Sequence, residues 1–100
     1  MSADETSEPE REPAEPIELE ITDVIDLHSF RPNEVASVVR SYLDAAREAG
    51  LRRVRIIHGR GAGVQRLTVR TLLARDPRVR DYGDAPPDAG GWGATWAELD

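Results

Sequence analysis

Six residues near the middle of the chain, His58-Gly59-Arg60-Gly61-Ala62-Gly63, restrict its fold more than any other feature. Glycine at every second position weakens both strand and helix, so the regular patterns on either side must belong to separate elements. Before the loop, Val54-Arg55-Ile56-Ile57-His58 reads as a β-branched strand opened by Leu51-Arg52-Arg53. After it, Val64, Leu67, Thr68, Thr71 and Leu72 recur at helical spacing until Pro77 stops the helix. A strand, a glycine loop and a helix thus form the central unit.

Upstream, Ile17, Leu19 and Ile21 alternate and lead into Val24-Ile25-Asp26-Leu27-His28, a run suited to a strand buried on both faces. Pro32 suits the first turn of a helix, and Val35, Val38, Val39, Tyr42, Leu43, Ala46 and Ala49 trace one apolar stripe that Gly50 closes. Downstream come a short strand over 78–82, a loop through Pro86 and Pro87, and a last strand over 93–99 with Trp92, Ala94, Trp96 and Glu98 alternating against Thr95, Ala97 and Leu99. The predicted order is βαβαββ. A strand, helix and strand in succession imply a right-handed parallel crossover, so the expectation is an α/β (α+β) two-layer sandwich: a mixed four-stranded sheet with two helices on one face.

One hundred residues suffice for one core and not for two. Residues 1–16 are rich in Glu, Pro, Ala and Ser without an apolar period, which predicts a disordered acidic tail ahead of a domain spanning 17–100. The absence of cysteine excludes disulfides, thiolate zinc sites and cysteine nucleophiles. No apolar run approaches the length of a membrane span and no secretory pattern opens the chain, so the sequence predicts a cytoplasmic protein with no membrane contact.

The net charge of -6 conceals a division. Residues 1–20 hold eight acids against one arginine, whereas Arg52 to Arg80 contains nine arginines and a single acid, Asp76. Attraction for phosphate depends on the local field, so the basic stretch is the better guide to partners. All thirteen basic residues are arginine, whose planar fork suits bidentate phosphate contacts.

In a parallel unit, ligands gather beyond the carboxyl ends of the strands. Two segments fall there. On an extended strand Asp26 and His28 point the same way, and a carboxylate beside an imidazole can orient water, hold phosphate or position a metal. A structural hydrogen-bonded pair is the commoner use of that spacing. The glycine loop lets backbone amides approach an anion at a helix start, with Gly59, Gly61 and Gly63 giving access and Arg60 adding charge. A tight turn needing only left-handed glycines is the plainer alternative. The spacing is neither that of a dinucleotide fingerprint nor that of a P-loop.

Taken together, Asp26-Leu27-His28, a helix of about five turns and Ile56-Ile57-His58-Gly59-Arg60-Gly61-Ala62-Gly63 resemble the two signature motifs of the Smr (small MutS-related) domain family, D-L-H-G and H-G-x-G-x-G. The segment Ala85 to Thr95 is similar to the family's glycine-rich turn before its last strand. The resemblance spans about Asp23 to Leu99 and suggests a stand-alone Smr domain. It implies a compact two-layer fold like the C-terminal domain of a bacterial initiation factor, and nicking or endonucleolytic cleavage of DNA or RNA. It also implies Asp26, His28 and His58 as catalytic residues, and Gly59, Arg60, Gly61 and Gly63 as the phosphate grip. Arg66, on the following helix, extends that grip. Two positions depart from the family: Ser29 stands where Gly is usual, and Ala62 where Ser or Thr is common.

The leading expectation is therefore an endonuclease acting on DNA or RNA phosphodiesters, branched or structured strands included. The alternative is a non-catalytic module that docks on nucleic acid or the ribosome. A third, a protein-interaction domain, requires an exposed apolar patch around Trp92. One carboxylate and two imidazoles hold a divalent ion only if substrate oxygens and water complete the shell, which leaves Mg²⁺ or Mn²⁺ as the one cofactor open and metal ligands unassigned. Trp92 and Trp96 fit packing as well as stacking and are left outside the expected site.

Overall fold

The computed structural model describes residues 21–100 other than Ala62. The predicted acidic tail and the alternation of Ile17 with Leu19 lie outside the described residues. The elements are β1 (Val24–Asp26), α1 (Val35–Glu48), β2 (Arg53–Ile57), α2 (Val64–Arg75), β3 (Val79–Asp84) and β4 (Ala94–Leu99), in the order βαβαββ. The sheet runs β1-β2-β4-β3, with β1 parallel to β2 and the other two pairings antiparallel.

Strand alternation decides which face becomes the core. Val54 and Ile56 of β2 lie opposite Ala97 and Thr95 of β4, and all four are buried. Against them pack Val35, Val39, Leu43 and Ala46 of α1 with Val69 and Leu73 of α2, so both helices share one face as the periodicity predicted. Each fully buried Val or Leu contributes about 1.5–3 kcal/mol of transfer free energy. The other face carries Arg53, Arg55 and Trp96, with the Arg53 guanidinium 4.1 Å from the Trp96 ring centroid.

Both ends of α1 follow from sequence. Pro32 opens a 3-10 turn, Pro32–Glu34, and the Arg31 amide donates to Glu34 Oε1 at 3.0 Å, which caps the helix start. Gly50, at φ +84, closes the far end. The helix also anchors the chain before β1: the Tyr42 hydroxyl donates to the Thr22 carbonyl at 2.6 Å, and burial pushes its pKa up to about 12.

Three expectations need correction. β1 is a three-residue strand, with Val24 and Ile25 half-buried and Asp26 exposed, because the helices cover only one of its faces. His28 is not on the strand; Leu27–Ser29 form a 3-10 turn, and only Leu27 enters the core. On α2 the buried residues are Val69 and Leu73, while Val64 and Leu67 are two-thirds exposed.

Arg78 is structural. It donates to both Asp76 oxygens and pairs with Asp44 at 3.1 Å, tying the entry to β3 against α1. The first effect of that grip is to hold the Asp76 carboxyl below the ordinary range. Along β3 the register against β4 shifts between Val79 and Asp81, a bulge at the edge of the sheet.

Candidate functional site

The parallel register pairs Asp26 with Ile57, which brings the turn after β1 and the loop after β2 to the same end of the sheet. β4 begins there too, with Ala94 opposite Ile57. The glycine loop is fixed to it by two bonds, since the His58 and Gly59 amides both donate to the Gly93 carbonyl, at 3.0 and 2.9 Å.

Asp26 and His28 do come together, by a route other than strand alternation. As the residue capping the 3-10 turn, Asp26 accepts from the His28 amide at 2.9 Å, and the same Oδ1 lies 2.6 Å from His28 Nδ1. Facing a carboxylate, Nδ1 carries the proton. Among the described residues the second ring nitrogen, Nε2, has no hydrogen-bond partner, and the side chain is 65% exposed. The backbone bond, followed by the ring bond, holds the Asp26 carboxyl below its ordinary value. A carboxylate that fixes one imidazole tautomer and leaves the other nitrogen open is the orienting half of a general base.

The two motifs touch at Gly59. Its φ is +83, and a Cβ there would stand 2.9 Å from His28 Nε2. Any side chain at this position must displace the imidazole, so glycine serves the dyad as much as the turn.

His58 faces inward and is 6% exposed. Its Nδ1 is 2.9 Å from the Gly59 carbonyl, which only accepts, so Nδ1 donates. Nε2 then accepts from the Thr95 hydroxyl at 2.9 Å, and Thr95 Oγ1 accepts in turn from Arg70 Nε at 3.2 Å. Both ring nitrogens are engaged inside the protein. Burial is the main cause that lowers the His58 pKa, with Arg66 and Arg70 adding repulsion.

Around the loop the arginines divide. The Arg60 side chain lies along the Gly91–Gly93 turn: Cβ atoms at Gly93 and Gly91 would meet its Cγ at 3.2 Å and its guanidinium at 3.4 Å. Among the described residues Arg60 has no ion-pair partner. Arg66 and Arg70 both grip Asp84, Arg66 at 2.7 Å, and hydrogen bonding from Arg66 chiefly lowers the Asp84 pKa. Arg66 also lies 4.5 Å from the Trp92 ring centroid.

Trp92 is the residue that sequence reasoning left out of the site. Its ring edge would be 3.1 Å from a Cβ on Gly63, where φ is +85. Glycine spacing in the 90–93 turn was the only hint, and it does not reveal which loop the turn approaches.

α2 begins at Gly63 with no side-chain cap and no acid in its first turn. Uncapped first-turn amides carry partial positive charge toward whatever sits at the loop. Among the described residues no three His, Asp or Glu side chains converge to hold a metal, and His58 has no nitrogen to offer. Among the described residues the donors at this site do not fit a resident divalent ion. No helix among the described residues is long and apolar enough to cross a membrane.

Comparison with known proteins agrees with this arrangement. The Smr domain family model matches residues 25–100. Endonuclease MutS2 of Thermus thermophilus is 40% identical over 95 residues, covering 91% of this chain and 13% of its own length. The chain thus spans about an eighth of that relative. Among solved structures, the Smr domain of Thermus thermophilus MutS2 superposes with a TM-score of 0.75 at 38% identity, covering 79% of this chain and 99% of that one. YdaL, a stand-alone small MutS-related protein from Escherichia coli, gives 0.73 at 31% identity, covering 77% and 63%. With the fold, both motifs and the family match in agreement, the chain belongs to the Smr domain family.

Proposed function

We propose that this domain binds nucleic acid through its glycine loop and cleaves the phosphodiester held there. The observation that carries the proposal is the Asp26–His28 dyad seated against Gly59, with Nε2 beside the loop and unpartnered among the described residues. The phosphate lies over the open start of α2, gripped by backbone amides and by Arg60. His28 Nε2 takes the proton of the attacking hydroxyl as the new P–O bond forms, while Asp26 stabilises the resulting imidazolium. The leaving oxygen takes a proton from solvent as the old P–O bond breaks. His58 acts as a positioning residue: its chain to Thr95 and Arg70 holds the loop against β4. Arg66, already bound to Asp84, contributes less phosphate charge than its place in the sequence suggested. The name of the MutS2 relative supports nuclease chemistry.

The test is incubation of the purified protein with supercoiled plasmid and with structured RNA, with and without Mg²⁺ or Mn²⁺. Cleavage by the wild-type chain that His28→Ala abolishes supports the proposal. Salt-dependent binding with no product under any condition supports the non-catalytic alternative, on branched nucleic acid or ribosomal RNA. Cleavage that survives His28→Ala overturns the assigned chemistry.

A further inference from the structure

The large hydrophobic side chains that stay exposed among the described residues are Phe30, Val64, Leu67 and Trp92. Their placement is not scattered. Phe30 ends the turn that carries His28, Val64 and Leu67 occupy the first turn of α2, and Trp92 stands against Gly63. Val64, Leu67 and Trp92 border the glycine loop, where a site for a bare phosphate would need only polar groups.

Trp92 is the most constrained of the four. Gly63 leaves room for its edge, the Arg66 guanidinium lies over the ring at 4.5 Å, and Asp84 anchors Arg66 in place at 2.7 Å. The indole is still 41% exposed. The Arg60 side chain runs along the turn that carries it, which brings a second cation to its side. A fixed aromatic surface flanked by cations, next to a phosphate grip, is the combination that stacks nucleobases without reading their sequence.

Resting on the nucleic-acid reading above, we propose that the site takes an unpaired nucleotide: a single strand, or a base splayed from a branch, flap or loop. The base stacks on Trp92. In continuous duplex the base faces are covered by their neighbours, so a duplex reaches the loop with its phosphates but leaves the indole unused. The positive flank favours a strand over an apolar protein partner, which would meet Arg60, a cation with no ion-pair partner among the described residues, at its contact.

Trp96 sits on the helix-free face of the sheet, against Gly83, so Trp96→Phe leaves Trp92 as the sole tryptophan and its fluorescence as the probe. In that background the full chain is titrated with a single-stranded oligonucleotide, the same sequence as duplex, and an abasic single strand of equal length. The single strand should quench Trp92 and bind about 5- to 150-fold more tightly than the abasic strand, the equivalent of one stacked base. Trp92→Ala should bring the single strand down to the abasic level, with Trp92→Phe retaining most of the affinity, both read by the fluorescence anisotropy of an end-labelled strand. The proposal is overturned if saturating single strand leaves Trp92 fluorescence unchanged. It is also overturned if Trp92→Ala and Leu67→Ser bind the strand like wild type, which would give the apolar rim to a protein contact. In either case, binding that still weakens on Arg60→Ala preserves the nucleic-acid reading, whereas no binding of any of the three oligonucleotides removes both.

Discussion

His28 and His58 end neighbouring motifs at the same edge of the sheet, yet the protein treats them as different kinds of residue. His28 is exposed, hydrogen-bonded through one nitrogen to Asp26 and, among the described residues, unpartnered at the other. His58 is buried, with both nitrogens committed to Gly59 and Thr95. The difference teaches that a motif histidine earns a chemical role by what its second nitrogen faces. Tautomer and burial decide this, and neither is visible in the motif.

Substitution should separate the two most sharply. His28→Ala removes a base without leaving a buried group unpaired, so cleavage should fall by about 10²–10⁴-fold with an unchanged melting temperature. His58→Ala leaves the Thr95 hydroxyl and the Gly59 carbonyl without their partner and opens a cavity. It should cost about 2–4 kcal/mol, read as a Tm drop of roughly 8 °C or more. Activity measured well below that Tm should fall less than in His28→Ala. Equal melting temperatures for the two variants would break the comparison.

Gly59→Ala probes the contact between the motifs. A methyl group 2.9 Å from Nε2, on a residue at φ +83, must push the imidazole aside. The expected result is a loss of cleavage on the order of tenfold or more, at a stability cost of about 1–2 kcal/mol. Oligonucleotide affinity should change little; a variant that cleaves normally would show that His28 is not held where it works.

Acid should distinguish the pair as well. The folded-state pKa of His58 lies below 6.5, so the unfolded chain binds more protons as pH falls through that value. The His58 contribution is therefore fully present above about pH 6.5 and is lost progressively below it, down to its lowered pKa. Denaturant midpoints measured from pH 8 to pH 5 should decline, and His58→Gln should flatten the decline. The same profile in both proteins would refute the assignment.

The smallest expected effect is at Arg60. On the proposed binding mode its charge adds to a grip made mostly of backbone amides, so Arg60→Ala should weaken all strands uniformly and reduce the salt slope by about one. An affinity loss confined to one strand type would assign Arg60 a role in selection.

Much of the fold was legible where single residues punctuate it. The glycine loop, Pro32, Gly50 and Pro77 set the element boundaries, and the apolar stripe of α1 named its buried face. The face of α2 was not legible. The helix buries Val69 and Leu73, and this leaves Arg66 and Arg70 on its inward flank, where Asp84, fourteen and more positions away, holds them; local spacing does not show that long-range pairing. The Asp26–His28 contact was foreseen for the wrong geometric reason, because a 3-10 turn capped by Asp26 itself replaced the end of the strand. Trp92 was missed because its position depends on the turn after β3 folding back to the loop after β2, through the Gly93 carbonyl.

The bulge in β3 has a consequence for how many such domains can share a small volume. An edge strand offers unpaired backbone groups to any passing chain. Here the register shift at Val79–Asp81, with Arg80 and Asp81 exposed, bends and charges that border. A second copy laid alongside would meet mismatched hydrogen-bonding groups. On the proposed nucleic-acid reading, crowding on one strand can then raise the local concentration of the protein without seeding sheet-to-sheet aggregation through β3.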